Sequence, residues 1–170
     1  GPVMAKGAED TAFYIYNRFV ALNEVGGDPA LFGSTVAAFH EYCTHRAQQW
    51  PTAMSAASTH DTKRSEDTRA RLSVLTGMPQ RWRSFVAEMA EHNSGYRSGE
   101  APDRNLEYLL YQCMVGAWPI SCERMQTFAE KAMREAKQHT SWTNQNPEYE
   151  QAVHQFLERA MGDDRVVGLV

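Results

Sequence analysis

Apolar residues recur every three or four positions over most of the chain, which is the period of an amphipathic α-helix. Four stretches show this pattern most clearly, and each predicts a buried helical face. Their inward-facing residues are Leu72, Leu75, Met78, Trp82, Phe85, Val86 and Met89; Leu106, Leu109, Leu110, Cys113 and Met114; Met125, Phe128, Ala129, Ala132 and Met133; and Tyr149, Val153, Phe156, Leu157 and Met161. The pattern predicts a mainly α protein.

Proline and capping residues indicate where these helices begin and end. Pro79 is expected near the start of a helix, so it divides the first stretch in two. Residues 93–103 are predicted to form a loop. Ser121 is a predicted N-cap, and the pair Asn146 and Pro147 is predicted to open the last helix.

Two further helices are predicted in the first fifty residues. Residues 9–23 are rich in aromatic and apolar side chains, and the helix-breaking sequence EVGGDP follows them. Ser34 is expected to cap a second helix that Pro51 ends. Its inward-facing residues would be Val36, Phe39, Cys43, Ala47 and Trp50.

The segment from Ala53 to Thr59 breaks the helical pattern, because it is small, nearly uncharged and without a 3.6-residue period. It predicts one short strand (about 53–59) followed by a polar loop. A single strand forms no sheet, so it would pair with another chain or belong to a larger sheet. We expect the helices to fold while residues 53–63 are rearranged, disordered or paired with another copy.

Composition and charge narrow the classes of function. The 170 residues suit one domain, and a net charge of −4 gives no footprint for nucleic acid or for an anionic membrane. No apolar run reaches about 18 residues, so no membrane span is predicted. The three scattered cysteines are expected to be buried and reduced, in a cytoplasmic protein. The initial Gly-Pro is either a scar of protease cleavage or the interior of a longer protein.

The sequence STHDTKRSED concentrates polar chemistry directly after the predicted strand. There, His60 and Asp61 could face a cleft, as catalytic groups do at the strand ends of a (β/α)8 barrel. Asp61 could bind substrate hydroxyls, and Lys63 and Arg64 would help to keep it ionised. The structural alternative is that Thr59 or Asp61 only caps a helix that begins near residue 64.

Other polar residues give weaker signals. His40 and Cys43 share a helix face, but no second pair with zinc spacing follows, so no metal site is predicted. Lys137, His139 and Trp142 could form part of a sugar-binding rim, although Trp142 is favoured to pack where two helices join. No phosphate-binding glycine loop is present, and no cofactor is predicted.

Two long motifs, GPVMAKGAEDTAFYIYNRFVALNEVGGDP and STHDTKRSEDTRARLSVL, resemble the maltooligosyl trehalose synthases of the glycoside hydrolase 13 (α-amylase) superfamily. LEYLLYQCMVGAWP and REAKQHTSWTNQNPEYE agree as well, so the resemblance follows the chain in order. Ile15 departs from it, because a basic residue is expected there. The resemblance implies a parent enzyme far longer than this chain, which would be an internal fragment.

The implied fold is a helical segment of a parent (β/α)8 barrel enzyme. Residues 1–52 would precede barrel strand 7, residues 53–63 would form that strand and its site loop, and residues 64–170 would form a helical subdomain. STHD matches only the third of the superfamily's three carboxylate motifs. The resemblance therefore assigns Asp61 to the third carboxylate and His60 to its sugar-binding neighbour, with the nucleophilic Asp and acid/base Glu upstream of this chain.

The implied reaction is an isomerisation in trehalose biosynthesis. The reducing-end α-1,4 bond of a maltooligosaccharide becomes an α,α-1,1 bond by retaining double displacement. The catalytic Asp61 would hold the 2- and 3-hydroxyls of the sugar at the cleaved bond. Lys6 and Glu9 would hold the released glucose, unless they form only a surface ion pair.

Two questions stay open at the level of sequence. Lys63 and Arg64 would either contact sugar or pair with Glu66 or Asp67. The isolated chain is predicted to be inactive, because it would need the rest of the parent barrel. The alternative is a non-catalytic helical module that binds a protein partner, in which STHD is only the start of a helix.

Overall fold

The computed structural model describes residues 1–170, which form eight α-helices, five short 3-10 or π turns and no β-strand. The helices are α1 (Pro2–Met4), α2 (Val36–Gln49), α3 (Glu66–Val74), α4 (Pro79–His92), α5 (Arg104–Ala117), α6 (Cys122–Ala136), α7 (Pro147–Met161) and α8 (Asp164–Leu169). The turns are Ala5–Glu9, Ala12–Tyr14, Val20–Leu22, Leu75–Gly77 and Asn93–Tyr96. The prediction of a mainly α chain is confirmed, and the chain forms no barrel sheet.

The core lies among α3 to α7, where the four predicted apolar stripes meet. Its fully buried residues include Leu72, Met89, Leu109, Leu110, Met114, Met125, Val153, Phe156 and Leu157. Helix α5 is central and packs directly on α3 through Gly116, whose missing side chain lets Leu72 approach. The core forms here because these helices cover one another's apolar faces within the chain.

The predicted boundaries of the later helices are confirmed by their caps. Pro79 occupies the first turn of α4, where its missing N–H costs no hydrogen bond. Ser121 Oγ accepts a hydrogen bond from Arg124 N at 3.2 Å, and Asn146 Oδ1 accepts one from Tyr149 N at 3.2 Å. The predicted loop at 93–103 contains one short 3-10 turn.

The predicted long helix at 9–23 is wrong. The segment instead forms two short 3-10 turns after the π turn that ends at Glu9, because the Asn23 side chain holds backbone carbonyls that a continuous helix would use. Asn23 Nδ2 donates to Phe13 O at 2.9 Å and to Tyr16 O at 2.8 Å. Local hydrogen bonds of this kind compete with a helix.

Helix α2 forms as predicted, but its predicted inward face is exposed and the helix has no buried residue. Its cap is Thr35 and not Ser34, since Thr35 Oγ1 accepts from Ala38 N at 3.1 Å. Cys43 is exposed and Cys122 is half-buried, so the expectation that all three cysteines are buried holds only for Cys113. Cys43 is exposed because no other element of this chain covers α2.

The short strand predicted at 53–59 does not form, since this chain provides no neighbouring strand to complete its hydrogen bonds. The segment is irregular and exposed. Arg46 Nη2 donates to Ser55 Oγ at 2.6 Å, and Arg69 donates to the carbonyl of Ala57. These side-chain bonds attach the segment to α2 and α3 in place of a sheet. None of the helices combines the length and the hydropathy that a membrane span requires.

Candidate functional site

Two lysines meet at one carboxylate near the start of the chain. Asp10 Oδ2 accepts a hydrogen bond from Lys6 Nζ at 2.6 Å, and Asp10 Oδ1 accepts one from Lys63 Nζ at 2.8 Å. Both hydrogen bonds lower the pKa of Asp10, to about 2, and the one from Lys6 has the larger effect. The carboxylate is therefore ionised at neutral pH. The π turn at 5–9 and the loop after Asp61 are joined at this point.

Glu9 does not pair with Lys6, so the predicted surface ion pair between these two residues is absent. Glu9 Oε1 instead accepts a hydrogen bond from Gly26 N at 3.0 Å. Gly26 has a φ of +73°, a conformation that glycine adopts readily and other residues rarely do. Glu9 therefore fixes the EVGGDP turn beside the lysine cluster.

Glu24 holds the backbone of the loop that carries the predicted site residues. Its Oε1 accepts from Lys63 N at 2.8 Å, and its Oε2 lies 3.4 Å from Arg64 N. The same carboxylate has Arg69 Nη1 at 3.8 Å. The loop shape after Asp61 thus depends on a residue about forty positions earlier in the chain.

His60 and Asp61 are exposed and contact each other. His60 Nε2 lies 3.5 Å from Asp61 Oδ2, and the two side chains are 91% and 68% exposed. The helix-cap alternative is wrong, because α3 begins at Glu66 and its cap is Ser65, whose Oγ accepts from Thr68 N at 3.4 Å. Neither side chain has another hydrogen-bond or ion-pair partner in the chain.

Lys63 and Arg64 do not pair with Glu66 or Asp67. Lys63 pairs with Asp10. The guanidinium of Arg64 lies beside the buried thiol of Cys113, where it opposes the rise in the pKa of that thiol that burial causes. Arg64 Nε is itself buried without a hydrogen-bond partner.

Lys137 and His139, two residues predicted for a sugar-binding rim, make different contacts. Lys137 ends α6 with a left-handed φ of 57°, and its Nζ donates to Thr11 Oγ1 at 3.2 Å. Lys137 therefore lies beside the Lys6 and Asp10 cluster. His139 stacks on Tyr149 at a ring distance of 4.5 Å and, with Tyr14, helps to line a small cavity.

Trp142 and the cavity near His139 are poor candidates for a sugar site. Trp142 lies in the connection between α6 and α7 with the Arg134 guanidinium 5.0 Å from its ring centre. The cavity that His139 and Tyr149 help to line measures about 20 Å³, which is room for about one water molecule.

No three His, Cys, Asp or Glu side chains lie close enough to hold a metal ion.

The chain has close relatives among curated proteins, although no family model matches it. Two Mycobacterium tuberculosis proteins, from strains CDC 1551 and H37Rv, carry the provisional name maltooligosyl trehalose synthase. Each is 44% identical over 165 residues, which is 93% of this chain. The chain matches one segment of the maltooligosyl trehalose synthases. It spans about a fifth (21%) of the length of these curated relatives.

Solved structures of maltooligosyl trehalose synthases agree with this match. The enzyme of Arthrobacter ramosus is 46% identical, with a TM-score of 0.89 over 98% of this chain and 21% of its own. A provisionally named maltooligosyl trehalose synthase of Sulfolobus tokodaii is 36% identical, with a TM-score of 0.89 over 98% of this chain and 23% of its own. The match covers nearly all of the chain. Helix α2, on which no element of this chain packs, and the irregular segment at 51–63 therefore correspond to parts of much longer polypeptides.

The structure thus brings Lys6, Glu9 and Lys63 to one region, whereas the Arg64 guanidinium lies beside Cys113. His60 and Asp61 precede Lys63 in the same loop but have no hydrogen bond or ion pair to these residues. Sequence reasoning missed Asp10 and Glu24, which hold that region together. For Asp10 a signal was present, because it follows Lys6 by four residues, the spacing at which side chains on one helix face can pair. No local signal linked Glu24 to Lys63.

Proposed function

We propose that this chain is part of a maltooligosyl trehalose synthase of the glycoside hydrolase 13 superfamily. That enzyme would convert the reducing-end α-1,4 bond of a maltooligosaccharide to an α,α-1,1 bond and act in the cytoplasm. The observation that carries the proposal is the 44–46% identity to such proteins along nearly the whole chain. The lysine cluster at Asp10, which includes Lys63 from the loop that carries Asp61, supports it, since a sugar site needs convergent donors and acceptors.

Asp61 would bind the sugar at the cleaved bond. Its carboxylate oxygens would accept from the 2- and 3-hydroxyls, and these bonds strengthen as the ring flattens towards the transition state. His60, 3.5 Å away, would donate a hydrogen bond to the same sugar. The absence of other partners for these two side chains supports this role.

Lys6, Glu9 and Lys63 would hold the freed glucose between the two displacement steps. The covalent intermediate must react with the anomeric hydroxyl of that glucose and not with water, so the glucose must stay bound and oriented. Lysine ammonium groups supply donors to its hydroxyls, and Glu9 supplies an acceptor. The guanidinium of Arg64 is partly buried beside Cys113. Arg64 would therefore support the glucose-binding residues from the protein interior.

The nucleophilic Asp and the acid/base Glu would be provided by the remainder of the parent barrel. The 170-residue chain alone would therefore not turn over maltooligosaccharide. No cofactor takes part, because proton transfer and covalent catalysis by carboxylates are sufficient for this reaction.

The test uses the full-length protein that contains this chain, with maltopentaose as substrate. Loss of reducing ends is followed for the wild type, for Asp61→Asn and for a matched control, Asp164→Asn, which changes an exposed carboxylate on α8. We expect Asp61→Asn to lower kcat by at least about a hundredfold and the control to leave it unchanged. Equal activity of all three proteins would refute the role of Asp61. A full-length wild type that leaves the substrate unchanged would instead favour the non-catalytic interaction module.

A further inference from the structure

Asp10 is the link between two donors that come from different parts of the chain. Lys6 belongs to the π turn at 5–9, whereas Lys63 lies 53 residues after Asp10, in the loop that follows Asp61. Each ammonium bonds a different oxygen of the same carboxylate, at 2.6 and 2.8 Å. The chain gives neither ammonium another hydrogen-bond acceptor.

An ammonium group has three N–H donors. Because each lysine uses one of them on Asp10, two remain on Lys6 and two on Lys63, and their directions are set by the bond to Asp10. Lys63 is only 13% exposed and Lys6 is 75% exposed, so the pair extends from a sheltered position to the surface. A ligand that approaches from the solvent meets donors whose positions are already fixed.

The carboxylate also allows the two positive charges to lie close together. Lys63 lowers the pKa of Lys6 by charge repulsion, whereas the hydrogen bond to Asp10 raises it by more. The neighbouring side chains add Glu9, Glu135 and Lys137 to the same region. Without Asp10, the two ammonium groups would repel each other and turn towards solvent.

We propose that Asp10 is a positioning residue that fixes Lys6 and Lys63 as donors to the bound glucose and so determines how often water replaces that glucose. This inference rests on the proposed function. A loosely held glucose leaves before it can attack, and the covalent intermediate is then hydrolysed. Weaker positioning therefore produces more free glucose for each α,α-1,1 bond formed.

Asp10→Asn is the informative substitution because it keeps the shape of the side chain. An amide has one acceptor oxygen and one NH2 group, and the NH2 group cannot accept from an ammonium. In the observed geometry each lysine bonds a different oxygen, so only the lysine that faces the remaining oxygen keeps its bond, and the negative charge that attracts both is lost. Asp10→Glu keeps both acceptor oxygens on a longer stem and serves as the conservative variant.

The experiment uses the full-length protein with maltopentaose and measures free glucose and non-reducing product in the same reaction. Both products come from the same folded molecules, so their ratio does not depend on how much of a variant folds. We expect Asp10→Asn to raise the ratio of glucose to non-reducing product about threefold to tenfold, the effect of one hydrogen bond of ordinary net strength. Asp10→Glu should restore part of the difference, and Asp164→Asn should match the wild type.

The outcomes separate the two proposals. If the wild type forms the non-reducing product but Asp10→Asn loses both products equally or keeps the wild-type ratio, Asp10 has no positioning role while the proposed function stands. A wild type that forms neither product overturns the proposed function and this inference with it. A raised ratio with partial rescue by Asp10→Glu supports both.

Discussion

Gln112 and Asn17 are 95 positions apart in sequence, and Gln112 Nε2 donates a hydrogen bond to Asn17 O at 2.8 Å. The other end of the same amide, Oε1, accepts from Val20 N at 2.9 Å. Gln112 is fully buried in the middle of α5. One side chain therefore anchors the irregular segment at 12–23 to the helical core.

Replacement of Gln112 by leucine should destabilise the protein. The change leaves the N–H of Val20 and the carbonyl of Asn17 buried without partners, which costs about 1–3 kcal/mol. Thermal unfolding measured by circular dichroism would show the loss, with Gln151→Leu on the exposed side of α7 as the control. A melting temperature equal to that of the control would contradict this anchoring role.

Gly116→Ala should also be destabilising, because α5 and α3 are in close contact there. A Cβ at this position would lie 2.9 Å from Thr68 Cγ2 and 3.0 Å from Leu72 Cγ. The overpacking costs about 1–3 kcal/mol, against a gain of about 1 kcal/mol in helix propensity. Gly95→Ala, where a Cβ meets no atom within 4 Å, is the control in the same unfolding measurement. The prediction fails if Gly116→Ala melts at or above the control.

Stability should fall in acid between about pH 5 and pH 2. The pKa of Glu150 lies below its usual 4.5, mainly because Arg134 donates hydrogen bonds to it, and that of Asp10 falls from 3.8 to about 2. Groups with a lowered pKa bind fewer protons in the folded than in the unfolded state. Their contribution is therefore complete above the unfolded pKa and is lost as the pH falls.

Glu150→Gln tests this assignment, because a side chain that does not titrate removes one contributor. The melting temperature of the variant should fall less steeply with acidification than that of the wild type. Circular dichroism melts at intervals between about pH 6 and pH 2 measure the difference. Parallel curves for the two proteins would show that Glu150 is not a contributor.

The last helix, α8, is attached to α4 through Asp163. Asp163 Oδ2 lies 2.7 Å from His92 Nε2 and accepts from Tyr96 OH at 2.6 Å, while Oδ1 caps α8 through Arg165 N at 2.9 Å. These bonds, led by that from Tyr96, hold the pKa of Asp163 well below its usual range.

Asp163→Ala should release α8 without opening the core. We expect amide hydrogen exchange to become at least about tenfold faster over Asp164–Leu169, since the cap and both side-chain bonds are lost. Exchange over α5 should stay the same, and Asp164→Asn should resemble the wild type throughout. Equal protection of α8 in Asp163→Ala and the wild type would exclude this attachment.

The sequence correctly predicted the buried faces of the helices that pack on other helices of the same chain. The stripes of α4 to α7 are buried against one another, so their period and their caps were sufficient to place them. Helix α2 has an equally regular stripe, but its predicted burial was wrong because nothing in these 170 residues covers it. Burial depends on the partner surface, and that is not encoded in the periodicity of one helix.

In the candidate site, too, local sequence motifs were predicted and tertiary contacts were not. The residues with a recognisable motif, His60, Asp61 and Lys63, were predicted from the sequence. Asp10 and Glu24 were not, because their bonds to Lys63 span 53 and 39 positions and are set by tertiary structure. The four-residue spacing of Lys6 and Asp10 was the one local signal. The residues that hold a site in shape carry a weaker local signal than those expected to contact the ligand.

The hydrogen bonds from the backbone N–H groups of Lys63 and Arg64 to Glu24 have a consequence for protein engineering. The loop at 58–64 has hydrogen bonds of its own between Thr59 and Thr62, but the bonds that fix its end come from Glu24, in the turn at 20–28. A graft of this loop onto another scaffold would therefore need both segments as one cassette. Libraries that vary the loop should likewise leave Glu24 unchanged, so that sequence diversity alters the recognition surface and not the alignment of its backbone.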